Sequence, residues 1–328
     1  MFFGRVREAA RVASEQMALL ESIGDPAMTI GVAFLTLGVK LETGEMHDIL
    51  RLAQTVIDWA DGDPLKGNII LGSPLAVALL WRGLARCQLG RHDGSQDIAD
   101  AIAMARTADP ATHVTVAALK YAGMAPGILR ADDSAIRELE EALQNADGLS
   151  DDTALGAVKL SLGTTLAYRD DVADRQRGLE YLDQVRDMCR TGRFFKSELP
   201  TLDMLVARER AARGDLDGAI LMLRAVVRTL LQEGQFGYVV SAFLTLVEVL
   251  LERGTDGDLA EAQDVMDQLE QLPLSEDFAV RTIALLRIRA LLARARGDDA
   301  PYREFVIRYR EMAKALGFER HLTMAEAM

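Results

Sequence analysis

The stretch from Ala207 to Val226 constrains the fold more than any other part of the chain. A helix-forming run ends at Arg213, Gly214 punctuates it, and Asp215 stands where an N-cap belongs. Ala219, Ile220, Leu223 and Val226–Val227 then form an apolar stripe at three- and four-residue spacing. The unit reads as a helical hairpin, with the small Ala219 where two helices approach. It recurs. Ser95, Ala135, Gly178, Ala219, Ala262 and Tyr302 take equivalent places in successive second helices, at a period of 40–43 residues. Gly83, Gly123, Gly163, Ala207 and Ala290 are the corresponding residues of the first helices. Such a hairpin cannot bury its apolar face alone. The period therefore predicts an all-α solenoid of about seven hairpins, each completing the core of its neighbour.

The rest of the chain fits that pattern. Aromatic residues make up only 5%, and no long stretch alternates apolar with polar residues, so nothing reads as a sheet. Gly, Asp and Pro clusters divide the chain into helix-length runs. The expected helices are Phe3–Ile23, Ala27–Glu42, Met46–Asp61, Ser73–Leu89, Gly94–Thr107, Ala111–Ala125, Asp133–Asn145, Asp151–Arg169 and Asp174–Thr191. They continue with Thr201–Arg213, Asp215–Glu233, Phe236–Arg253, Asp258–Gln271, Ser275–Arg296, Ala300–Leu316 and a tail helix, His321–Met328. The chain reads as one domain, 1–328. It has N-terminal hairpins to residue 61, a loop over 62–72, repeats over 73–317 and a tail from 318. A second loop spans 192–200.

Charge narrows the partners. With 37 Lys and Arg against 50 Asp and Glu, the net charge is −13, a field that repels nucleic acid and anionic lipid. Cys87 and Cys189 form neither a disulfide framework nor a zinc motif. The start, MFFGRVREAARVASEQ, places charges where a signal peptide needs an apolar run. The longest apolar run, about Pro74–Trp81, is far short of the ~20 residues that span a bilayer. The expected setting is the cytoplasm.

The small residue, glycine, Asp and Ala of each hairpin resemble the tetratricopeptide repeat, with a longer period and few of its aromatic positions. A wider resemblance rests on six segments: VIDWADGDPLKGNIILGSPLAVALLWRG (56–83), GILRADDSAIRELEEAL (127–143), RDDVADRQRGLEYLDQVRDMC (169–189), FFKSELP (194–200), ARERAARGDLDGAI (207–220) and ALGFERHLTMAEAM (315–328). They resemble the C-terminal helical region of bacterial multidomain adenylate/guanylate cyclase–ATPase signalling proteins. The resemblance implies a tetratricopeptide-like module that acts with cyclase and ATPase domains of the same or another chain. This chain would then correspond to the C-terminal region alone. The family's catalytic residues map onto no position of this sequence.

The residues themselves offer little chemistry. Gly62–Gly67 lacks the hydroxyl residue and preceding strand of a phosphate loop. His47, His92, His113 and His321 share no metal-ligand spacing and read as surface or capping residues. The acid pairs Asp132–Asp133, Asp151–Asp152 and Asp170–Asp171 stand at expected helix starts, where capping accounts for them. No catalytic residue, metal or cofactor is expected. Phe194–Phe195 reads as a staple between hairpins, and the mixed-charge run with Arg169, Arg175 and Arg177 as a possible interdomain contact. In repeats of this type the first helices line the concave surface. Counting from the small residues places Gln88, Lys120, Thr164, Tyr168, Arg208, Arg287 and Arg294 there, with Glu248 interrupting the set. Four of the seven are basic in an acidic protein, which suggests a groove for an acidic peptide or a small anionic ligand. The expected function is a non-catalytic interaction and regulatory module. A structural or oligomerisation scaffold, and an enzyme with an unrecognised site, are the alternatives.

Overall fold

The computed structural model describes residues 3–70, 72–124, 126–148 and 151–328. It is 79% helical, and the described residues contain no strand. A leading helix α1 (Val6–Ile23) precedes seven antiparallel hairpins. These are α2–α3 (Pro26–Thr43, Met46–Ala60), α4–α5 (Pro74–Gln88, Gly94–Ala108), α6–α7 (Pro110–Lys120, Asp133–Asp147) and α8–α9 (Asp152–Ala167, Val172–Arg190). Then come α10–α11 (Leu199–Ala212, Leu216–Glu233), α12–α13 (Phe236–Arg253, Asp258–Glu270) and α14–α15 (Ala279–Arg296, Asp299–Leu316). A short helix, α16 (Glu319–Glu326), ends the chain. Leu71, in the expected 62–72 loop, and Ala125, the expected end of the Ala111–Ala125 helix, lie outside the described residues.

The helix boundaries have local causes. Asp215 caps α11 by accepting from the Gly218 amide at 3.0 Å. The acid pairs act in the same way: Asp132, Asp151 and Asp171 accept from the amides of Ala135, Thr153 and Asp174, each at 2.9 Å. The main departure is α6, which stops at Lys120 and tightens into a 3-10 turn, Tyr121–Gly123. Pro126 supplies no amide to continue the helix, and the chain reverses there with the Ile128 amide donating to the Gly123 carbonyl at 3.0 Å. Gly123 thus belongs to a turn rather than to a helix crossing.

Within a hairpin the helices meet at their small residues. In the second hairpin a Cβ on Gly94 would lie 2.6 Å from the Gly83 carbonyl oxygen, and one on Gly83 would lie 2.7 Å from that of Gly94. Gly94, not the exposed Ser95, therefore occupies the repeat position. Gly163 and Gly178 are equally close, at 3.0 and 2.8 Å. Ala207, Ala219 and Ala262 are wholly buried at the matching places. Phe194, in the connection from the fourth hairpin to the fifth, is buried against Gly156 of α8.

The first helices, α2 to α14, pack successively along the inside; the main hydrophobic core runs from Ile30 to Ala325, with two smaller clusters among α6, α7 and α8. The array closes on itself. Helix α2 packs on α12, where a Cβ on Gly237 would lie 2.0 Å from the Leu41 carbonyl oxygen. His47 of α3 bonds Asp277, just ahead of α14, at 2.9 Å. Gly90, in the turn of the second hairpin, lies against Ala279 and Leu316 of the seventh. The Ile128 carbonyl, after the third hairpin's first helix, accepts from the Glu319 amide of α16 at 3.0 Å. Each contact joins a unit to the one five places on, so one superhelical turn takes five hairpins.

Candidate functional site

The inner face carries a cluster of cations where α16 closes over it. Tyr168, at the end of α8, is its centre. The Arg208 guanidinium carbon of α10 lies 4.5 Å from the Tyr168 ring centre, and that of Arg320 in α16 lies 3.5 Å from it. Arg208 also donates to the Ala167 carbonyl at 2.9 Å. Arg287 of α14 pairs with Glu248 of α12 at 2.7 Å and lies over the Tyr309 ring. Burial works against the charge on Arg287, but the Glu248 carboxylate and Tyr309 together outweigh it and raise the arginine's pKa. For Arg320 the balance is reversed, although Tyr168 and the Glu248 carboxylate favour its charge. Burial first, then the neighbouring Arg208 charge, pull its pKa below the ordinary value.

His321 fixes α16 in place. It is 2% exposed and forms two hydrogen bonds of 2.8 Å, one with the Pro126 carbonyl and one with the Tyr309 hydroxyl. A carbonyl only accepts, so Nε2 carries the proton and Nδ1 accepts from Tyr309. Burial pushes the imidazole pKa down to about 4, and the charges of Arg287 and Arg320 work in the same direction. Burial likewise pushes the Tyr309 hydroxyl up to about 12. Gly127, at φ +83°, makes room for the ring: a Cβ there would lie 2.7 Å from Nε2. Further bonds hold the helix at both ends. The Arg130 amide donates to the Glu319 carboxylate at 3.1 Å, and the Tyr302 hydroxyl donates to the Met328 carbonyl at 2.5 Å.

These groups surround a cavity of about 30 Å³, lined by Gly127, Tyr168, Arg208, Thr245, Glu248, Arg320 and His321 among others. That is room for roughly one or two waters or a single oxyanion, not for a nucleotide or a peptide. The inner surface is thus not the open groove the sequence suggests, because α16 fills it. A larger cavity, about 370 Å³, opens between Gly4, Lys196, Asp203 and Met222. Its acids and bases are mixed, and Asp203 is already paired with Arg186 at 2.5 Å.

The seven expected groove residues divide. Tyr168, Arg208 and Arg287 come together as described. Lys120 pairs with Glu138 of α7 at 2.6 Å, because the early end of α6 turns it toward its own hairpin. Thr164 is buried within α8, and Gln88 is buried at the end of α4 with no partner for its Oε1 among the described residues. Arg294 is exposed at the last turn of α14 and does not line the cavity.

The mixed-charge run is matched inside the solenoid. Arg169 reaches Asp133 of the preceding hairpin at 2.7 Å, Arg175 reaches Glu209 of the following one at 2.8 Å, and Arg177 pairs with Glu140. Equivalent arginines act likewise: Arg213 bonds Gln176 at 2.9 Å and Arg253 bonds Asp217 at 2.6 Å. Arg320 and His321 were not expected at the site. The sequence marks them only as an Arg–His pair in a short tail helix, and His321 is a core residue rather than a surface or capping one.

Among the described residues no three His, Cys, Asp or Glu side chains are grouped to hold a metal ion, and no helix is long and apolar enough to cross a membrane. No family model matches the chain, and no curated protein matches it either.

Proposed function

We propose that the chain is a non-catalytic binding and regulatory module that recognises an anionic group at the inner face of its superhelix. One observation carries this reading: two guanidinium groups, Arg208 and Arg320, lie against the Tyr168 ring near the Arg287–Glu248 pair, three arginines with one carboxylate in a protein of net charge −13. Arginine forks match the oxygen pairs of carboxylates and phosphates, and they hold their charge when partly buried. The superhelix supplies the relay, because the cluster joins the fourth, fifth, sixth and seventh hairpins to the tail helix. The resemblance of 56–83, 127–143, 169–189, 194–200, 207–220 and 315–328 to the C-terminal region of cyclase–ATPase signalling proteins supports a sensor role beside such domains, in the cytoplasm.

The test is binding by the parent chain and by a double variant, Arg208→Gln with Arg287→Gln. Calorimetric titration with inorganic phosphate, small dicarboxylates and Glu-rich peptides should find at least one ligand for the parent. The double variant should bind that ligand more weakly by about 2 kcal/mol or more, the worth of charge-assisted hydrogen bonds, while its circular dichroism is unchanged. Equal binding by both would defeat the proposal. Turnover of ATP or GTP by the purified chain alone would favour an enzyme instead.

A further inference from the structure

We infer that a small free oxyanion, of the phosphate or carboxylate class, sits in the cavity that Arg208 and Arg320 both line and locks α16 onto the inner face. The inference rests on the anion-recognition reading and specifies its ligand and its consequence.

The charge balance of the site leads there. Arg287 and Glu248 neutralise one another across 2.7 Å. His321 is neutral, since its Nδ1 is occupied as an acceptor. That leaves Arg208 and Arg320 as two positive charges against one aromatic ring, with no acidic side chain in ion-pair contact with either among the described residues; Glu248, which lines the same cavity, is the partner of Arg287. Guanidinium groups do not shed their protons in proteins, so two of them against one ring and lining one cavity repel each other. Stacking on Tyr168 offsets part of that cost. An anion in the cavity they share offsets the rest, and the cavity volume, about 30 Å³, suits the oxygens of one such ion.

The position of the two arginines gives binding a structural consequence. Arg208 belongs to α10 of the fifth hairpin, whereas Arg320 belongs to α16. The other anchors of α16 run to the third hairpin, at Pro126, Ile128 and Arg130, and to the seventh, at Tyr302 and Tyr309. Arg320 also stacks on Tyr168 of the fourth hairpin, so an anion shared by Arg208 and Arg320 adds a tie from α16 to a fourth part of the superhelix, the fifth hairpin. The free ion fits with α16 in place. A carboxylate on a peptide reaches the same arginines only after α16 leaves. The two sources of the one chemistry thus act on α16 in opposite directions.

Hydrogen exchange of the full chain reads that difference. Inorganic phosphate, titrated at constant ionic strength against chloride, should raise the melting temperature saturably. It should also slow amide exchange over 319–328 by tenfold or more. Arg208→Gln leaves α16 intact and should weaken the phosphate response at least tenfold, as should Arg320→Gln. Arg303→Gln, at an exposed site on α15, should respond as the parent does. No saturable response by the parent, or an undiminished one in Arg208→Gln, would overturn the inference. A Glu-rich peptide that binds and speeds exchange of 319–328, with phosphate inert, would overturn it too while leaving the anion-binding module standing. If neither probe binds, both readings fail together.

Discussion

His321 shows how one buried ring can couple pH to the docking of a helix. Its neutral form satisfies Tyr309 and Pro126 at once, and its protonated form would sit among Arg287 and Arg320 with only Glu248 of opposite sign nearby. The folded pKa, about 4, lies below the ordinary value of 6.5. Between those values the unfolded chain takes up a proton that the folded chain refuses. This group's stabilisation is therefore full above pH 6.5 and is lost as pH falls toward 4, on the order of 3 kcal/mol in all. His321→Gln should flatten that acid limb in urea titrations between pH 4 and 7. A second buried group has the opposite sign. Glu198 lies close to the buried Glu42, and burial, then the Glu42 charge, push it up to about 8. Glu42 accepts from Ser197 at 2.8 Å and from Gln235 at 3.1 Å, at the seam where α2 meets α12. A folded pKa above the ordinary 4.5 means that stability is full below pH 4.5 and is lost as pH rises through 8. Glu198→Gln should make the protein more stable than the parent at pH 8.5, by a few kcal/mol at most. A variant that melts no higher than the parent at that pH would show that Glu198 is not held protonated.

At the level of the element, the hairpin is defined by what two helices leave out. Gly163 faces the Gly178 carbonyl and the Leu182 side chain at about the closest distance a Cβ tolerates, and Ala219 is wholly buried at the same crossing one hairpin on. Gly163→Leu and Ala219→Leu should each cost about 1–3 kcal/mol by overpacking, read as a lower midpoint in denaturant titration with circular dichroism still helical. Unchanged midpoints would mean the crossings lie elsewhere. These positions were legible in the sequence because a close crossing admits only Gly or Ala, a restriction that repeats with the fold. Ser95 was off by one residue because Gly94 beside it is equally small, and Gly123 misled because a turn selects glycine as readily as a crossing does. The inter-hairpin arginines carry a period too, at Arg169, Arg213 and Arg253. That signal is easily passed over, since exposed arginine is common on any helix. Arg320 and His321 were hidden for a different reason. Their surroundings come from residues 126–130, 168 and 208, and no local pattern records a contact across that separation.

The whole molecule departs from the open spiral that hairpin repeats usually form. The seams between units five apart bring backbone against backbone, most tightly where Gly237 meets the Leu41 carbonyl at a distance no Cβ could keep. Gly237→Ala should separate α2 from α12 at a cost of about 1–3 kcal/mol, with amide exchange faster over 26–60 than over 152–190. Uniform exchange would argue that the seam contributes little. The five-hairpin turn also bears on how such a chain can change over generations. Repeat arrays commonly grow and shrink by duplication or loss of a unit, because each unit answers only to its neighbours. Here a lost hairpin would shift every later unit by one place, so that Gly237 would no longer meet Leu41, nor His321 meet Pro126. The number of units between seam partners is therefore fixed by the geometry, and there diversification is left to single substitutions on surfaces that no seam covers.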